Sequence, residues 1–222
     1  MKSLNKYFDH TLLKPEAIGE DIRKLCEEAM EYDFFSVCVN TCYVEDCADI
    51  LRDCDVKIAA VVGFPLGACT TPTKVFETEE ACCVGASEVD MVLNVGKFKS
   101  GDYEFCERDI NAVVRAAAEY NAIVKVILET CLLSDEEIVK ACEIAKAAGA
   151  QFVKTSTGFN SGGATAHHVK LMKDTVGDSM QVKASGGIRT YEKVMEMIEA
   201  GADRIGASAS VAIVTDERAQ EA

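Results

Sequence analysis

QFVKTSTGF (residues 151–159) and QVKASGGIR (181–189) decide the fold. Each has the apolar grain of a buried parallel strand, and each carries a lysine in its middle, Lys154 or Lys183, before a glycine turn. On the two-residue period of a strand, Val153 takes one parity and Phe152, Lys154 and Ser156 the other. Val182 likewise opposes Gln181, Lys183 and Ser185. The split recurs in EVDMVLN (88–94), where Val89, Met91 and Leu93 oppose Glu88, Asp90, Val92 and Asn94. In KVILET (125–130), Val126 and Leu128 oppose Lys125, Ile127 and Glu129. An open parallel sheet covered on both faces is apolar on both parities. A closed barrel accounts for charge on one parity only, because that parity points inside while the other packs on helices. Asp90, Lys125, Lys154 and Lys183 are therefore expected to share one interior volume.

The rest of the chain fits that reading. Strand-like runs fall at 7–11, 35–40, 57–64, 88–94, 124–130, 151–156, 181–185 and 203–208, with helical patterns between them. Ser134 followed by Glu137 has the spacing of a capping box, and that helix stops at Gly149. VGASEVD, AGAQFVK and AGADRIG repeat a Gly-Ala joint from helix to strand. Eight alternating βα units predict an α/β chain folded as a single (β/α)8 TIM barrel over residues 1–222. A short lead-in precedes it, and a tail starts at about 215. No linker or low-complexity segment divides the 222 residues.

The formal net charge of −14 argues against a nucleic-acid partner and means that an anionic substrate must be caught by local groups. No apolar run reaches membrane-spanning length, and the first residues lack a secretory apolar segment, so a cytoplasmic protein without a membrane partner is expected. The 11 cysteines form no CxxC pair and read as reduced thiols. With His10, His167 and His168 as the only histidines, no metal site is expected.

Burying an unpaired ammonium costs several kcal/mol, so several lysines on one parity of neighbouring strands point to function. A free lysine has a pKa of about 10.4 and cannot attack a carbonyl while protonated. A second ammonium nearby, with desolvation, favours the neutral amine; a lowering of about three units corresponds to roughly 4 kcal/mol. This is the setting of Schiff-base chemistry, with Asp90 moving protons. Gly158, Gly186, Gly187 and Gly206, with Ser208, follow the last three strands, where backbone N–H groups of such a barrel hold phosphate.

FDHTLLKP, SVCVN, VVGFPLG, EVDMVLNVG, KVILET, FVKTSTGF, VKASGGIR and RIGASAS, in that order from about residue 7 to 214, resemble the deoxyribose-phosphate aldolases. The resemblance implies a class I aldolase acting on 2-deoxy-D-ribose 5-phosphate, without a cofactor. Its substrates are a small phosphosugar and an aldehyde. By the same resemblance Lys154 forms the Schiff base, Lys183 tunes it and Asp90 shuttles protons. Lys125, Asp9, Cys38 and Thr155 are implied to lie near the substrate, and Gly158, Gly186, Gly187, Gly206 and Ser208 to hold its phosphate. Pairing into a homodimer is also in keeping with it. Four features depart from the usual pattern: Ala209 follows Ser208 in place of a second serine, Phe159 stands where some relatives carry a basic residue, the chain ends VAIVTDERAQEA without a tyrosine, and Thr41 follows SVCVN in place of proline. Another Schiff-base barrel enzyme acting on phosphosugars and a non-catalytic phosphosugar-binding barrel are the alternatives.

Overall fold

A computed structural model describes residues 3–216. Eight parallel strands close on themselves in chain order: β1 (Phe8–Leu12), β2 (Ser36–Val39), β3 (Lys57–Val62), β4 (Glu88–Val92), β5 (Ile123–Ile127), β6 (Phe152–Lys154), β7 (Gln181–Ser185) and β8 (Arg204–Ala207). The helices on the outside are α1 (Gly19–Glu31), α2 (Val44–Ile50), α3 (Thr71–Cys83), α4 (Val95–Lys99), α5 (Tyr103–Ala118), α6 (Asp135–Ala147), α7 (Ala166–Val176), α8 (Tyr191–Glu199) and α9 (Ser210–Val214). Every expected strand is present. The part of the expected tail at 217–222 lies outside the described residues.

The apolar parity packs outward as the sequence period requires. Val37, Val39, Ala60, Val62, Val89, Met91, Val124, Val126, Val153, Val182 and Ile205 bury themselves against the helices in one continuous core. Inside the barrel a small separate cluster of Leu13, Cys38, Ala59 and Val61 lines one wall. The opposite wall carries the charges. Their alignment follows from register: Asp90 sits beside Lys125, Lys154 beside Lys183, and Lys183 beside Arg204. In-register neighbours on a sheet point to the same side, so a slip of one residue would turn this set outward.

Four strands end two or three residues earlier than their expected runs, β4 at Val92 and β6 at Lys154 among them. β3 stops at Val62 because Gly63 takes a φ of +60°. β5 stops at Ile127, short of Glu129, which adopts the left-handed region at φ +58°. The capping box is formed: Ser134 Oγ accepts from the Glu137 N–H at 3.3 Å, and Glu137 Oε2 accepts from the Ser134 N–H at 2.8 Å. Outside the barrel, buried Lys74 of α3 donates to Asp109 Oδ2 of α5 at 2.6 Å and to the Val92 carbonyl at 2.9 Å. Thr71 completes this clamp through Asp109 Oδ1 at 2.6 Å.

Candidate active site

Each basic side chain inside the barrel arrives from a different strand, and three carboxylates separate them. Asp90 of β4 is fully buried. Its Oδ1 accepts from Lys125 Nζ at 2.7 Å. Its Oδ2 accepts from Lys154 Nζ at 2.8 Å and from Lys183 Nζ at 2.7 Å. Lys183 also lies against Asp9 Oδ2, and Lys125 reaches Glu88 Oε2 at 2.5 Å. Arg204 joins the far ends: its Nε donates to Asp9 Oδ1 at 2.7 Å, and its Nη2 reaches Glu88 Oε2 at 3.0 Å. The Arg204 guanidinium also stacks on Phe35, 3.6 Å from the ring centroid, and touches Ser36 Oγ at 3.2 Å.

Burial by itself raises the Asp90 carboxyl, but Lys125, Lys154 and Lys183 reverse that and hold it well below the ordinary carboxylate range. Burial likewise raises Asp9, and Arg204, Lys183 and Lys125 override it in the same direction. The converse holds for the cations. Burial works to lower Lys183, but the charges of Asp9 and Asp90 push it above the usual lysine value. Lys125 is raised in the same way by Asp90 and Glu88, against the effect of burial. The sequence alone suggests two ammoniums facing each other. The structure instead interposes Asp90, whose charge with that of Asp9 favours the protonated form of Lys183.

Lys154 differs from its neighbours in where it points. A cleft of about 290 Å³ opens at the carboxyl ends of β6, β7, β8 and β1, and Lys154 lines it. Gly158, Gly186, Gly187, Gly206 and Ser208 line the same cleft, as do Phe159, Arg189 and Lys14. Among the described residues, Lys154 is the one basic side chain of the buried network to reach it; Lys125, Lys183 and Arg204 stay behind. Room for a side chain is short at Gly206 and absent at Gly163. A Cβ on Gly206 would sit 3.0 Å from Lys183 Cε and 3.1 Å from Ser185 Cβ. Gly186, at φ +87°, brings its carbonyl so close to Gly163 that a Cβ there would lie 2.2 Å from the oxygen. This contact fastens the loops after β6 and β7 together, with the Ala164 N–H donating to Gly186 O at 3.0 Å.

Three residues expected near the substrate are engaged elsewhere. Asp9 is held by Lys183 and Arg204. Cys38 Sγ is 4.0 Å from Asp90 Oδ2, and burial pushes its thiol up. Thr155 Oγ1 donates to the Ser185 carbonyl and accepts from the Ser185 N–H, each at 3.0 Å. None of the three lines the cleft. Among the described residues Glu129 pairs with no lysine: it accepts from the Thr157 N–H at 3.1 Å and from the Thr157 hydroxyl. After Ser208, the next hydroxyl in sequence is that of Ser210, which is buried and donates to Ala207 O at 2.9 Å. It does not replace the serine missing at Ala209. Arg204 and Glu88 were not singled out from sequence. The signal was nevertheless present, since Arg204 shares the parity of Gly206, and Glu88 that of Asp90.

Comparison with known proteins agrees with this geometry. The model of the DeoC/LacD family aldolases matches residues 4–220. The deoxyribose-phosphate aldolase of Clostridium novyi is 60% identical over 220 residues, covering 99% of each chain. That of Streptococcus sanguinis is 61% identical over 216 residues, 97% of each. Among solved structures, the aldolase QR15 superposes with a TM-score of 0.94 at 41% identity, covering 100% of this chain and 98% of that one. The tetrameric deoxyribose phosphate aldolase of Aeropyrum pernix gives 0.91 at 34% identity, over 98% and 92%.

Proposed function

The chain belongs to the DeoC/LacD aldolase family, and from that premise we propose that it reversibly cleaves 2-deoxy-D-ribose 5-phosphate through an imine on Lys154. The products are D-glyceraldehyde 3-phosphate and acetaldehyde. One observation supports the choice of lysine above the others: Lys154 brings a buried amine, in contact with Asp90, to a cleft walled by glycine loops.

The amine attacks C1 of the open-chain sugar, and loss of water gives a protonated imine. A base takes the proton of the C3 hydroxyl as the C2–C3 bond breaks. That electron pair flows into the imine to form an enamine, and glyceraldehyde 3-phosphate leaves. Protonation at C2 and hydrolysis release acetaldehyde and regenerate Lys154. Asp90 is anionic at neutral pH, as a proton acceptor must be, and we assign it the transfer through water. Lys183 is its cationic partner. Asp9 and Cys38 hold these two from behind, and Lys125 anchors the other oxygen of Asp90. The imine serves as electron sink, so this route calls for no metal and no cofactor.

The phosphate belongs in the glycine-rich part of the cleft. Backbone N–H groups of Gly158, Gly186, Gly187 and Gly206, and the Ser208 hydroxyl, are the donors we assign to it. Arg189 and Lys14 stand on the same wall and supply positive charge that Phe159 does not. Self-association follows the tetrameric relative from Aeropyrum pernix. Among the described residues no helix is long and apolar enough to cross a membrane, and all eleven cysteines are free thiols. The free thiols favour a reducing compartment such as the cytoplasm, where the reaction would serve sugar breakdown.

Acetaldehyde plus borohydride is expected to leave an N-ethyl group on the peptide carrying Lys154, and chelators are expected to leave cleavage unchanged. An adduct on any other lysine instead, Lys14 of the cleft wall included, would refute the assignment. Gly206→Ala provides a finer check. Its methyl would sit 3.0 Å from Lys183 Cε, so the lysine must give by a few tenths of an ångström. A misplacement of about 1 Å is worth roughly a hundredfold in rate, so cleavage is expected to fall by roughly three- to tenfold while the far-ultraviolet circular dichroism is unchanged. Full activity would mean that Lys183 has slack the packing does not show.

A further inference from the structure

The buried charges form a closed circuit with one branch. Arg204 contacts Asp9 and Glu88; Asp9 contacts Lys183, and Glu88 contacts Lys125; both lysines contact Asp90. Lys154 hangs from Asp90 alone, on the oxygen that Lys183 also uses. Within the circuit, Arg204, Lys125 and Lys183 balance Asp9, Glu88 and Asp90. Lys154 is the surplus cation.

We propose that Arg204 and Glu88 are positioning residues that set the charge of this circuit and, through it, the pH at which Lys154 becomes a nucleophile. The inference rests on the imine reading above. Surplus charge is costly in a site of low dielectric. The proton that restores balance leaves from the amine with the fewest carboxylates around it. Lys125 has three carboxylate side chains within 4.0 Å, Lys183 and Arg204 each touch two, and Lys154 touches one. Among the described residues no further acid or base is within ion-pair distance of these side chains; exposed Lys57 of β3, in register with Ser36, is unchanged in every variant below. β2 contributes Cys38, whose thiol burial keeps protonated, and β3 contributes Ala59 and Val61. On the cleft side Lys14 and Arg189 are present in every variant below.

Opposite changes of charge at the far end should move Lys154 in opposite directions. The measurement is the pH dependence of acetaldehyde trapping by cyanoborohydride on the full chain, with the adduct mapped by mass. Glu88→Gln removes a negative charge and is expected to move the half-trapping pH down by on the order of one unit, as for a charge about 10 Å away at an effective dielectric of about 20. Arg204→Gln removes a positive charge and is expected to move it up by a similar amount. The double variant should return close to the unsubstituted value. Arg204→Lys keeps the charge while losing the fork, so it should leave the half-point in place. A merely structural role would slow trapping without this pattern of signs. Shifts of the same sign in both single variants, or none in either, would overturn the proposal. Should Arg204→Gln fail to fold, Glu88→Gln and Arg204→Lys decide: a downward shift in the first and none in the second supports it, and anything else overturns it. Absence of an adduct in the unsubstituted chain defeats the imine reading and this inference with it. An adduct whose half-point never moves defeats the inference alone.

Discussion

Lys154→Ala is expected to lower the cleavage rate by about ten-thousandfold or more while leaving the protein folded. The size follows from the role. Without the amine there is no imine at this position, and the other lysine lining the cleft, Lys14, is exposed and stands apart from the buried carboxylates. Lys183 does not substitute, because its nitrogen is fully buried between Asp9 and Asp90, which hold it protonated. Stability should hardly change. Removing Lys154 takes away the surplus cation and leaves three positive and three negative groups still paired. The expected displacement of Tm is less than about 4 °C, which for a chain of this size is about 1 kcal/mol. The check is aldehyde release by the variant, with a thermal melt of the same sample. A residual rate above roughly a thousandth of the original would show that another residue carries the intermediate. A large loss of stability would show that the six remaining buried charges do not balance one another.

Asp90→Asn should act in the other way, removing activity and stability together. Asn offers one acceptor and presents N–H donors where ammonium groups already stand. Breaking a buried ion pair by neutralising one partner costs about 3–5 kcal/mol, and here three lysines lose the same carboxylate. The pH dependence has a definite sign. In the native protein the Asp90 carboxyl is depressed, so its contribution is present above the ordinary carboxylate range and is lost as pH falls through its lowered value. Lys183 is elevated, so its contribution is complete below the ordinary lysine value and fades only as pH rises past it. In the variant the lysines have lost their counter-charge and are easier to deprotonate. The unfolded chain then holds more protons than the folded one at mildly alkaline pH, and the variant gains stability with rising pH. The deficit should therefore shrink between about pH 7 and pH 10, as read from urea unfolding at several pH values. A deficit that is constant with pH, or below about 1 kcal/mol, would mean that Asp90 is not the keystone of these contacts.

The order and parity of the strands were legible in the chain itself. A period of two in EVDMVLN, KVILET, QFVKTS and QVKAS separates residues that need an apolar neighbour from those that do not, and only closure lets one parity hold all the charge. Asp90, Lys125, Lys154 and Lys183 are inside the barrel for that reason. Depth along the barrel was not legible. The period says which way a side chain points and says nothing about its height, because height depends on how far the strands tilt and stagger when the sheet closes. Only the folded barrel shows that Lys154 reaches the cleft while Lys125 and Lys183 stop behind it. The same applies to partners. Thr155 could be placed beside the lysine by sequence, yet its hydroxyl meets the Ser185 backbone, a contact across to the neighbouring strand.

Sequence alone thus determined an eight-stranded barrel with amines and a carboxylate inside, since local periodicity and helix stops are properties of neighbouring residues. Tertiary structure decided which amine is reachable and which cation each carboxylate holds. Arg204 and Asp9 are 195 positions apart in the chain and meet only because the last strand closes against the first.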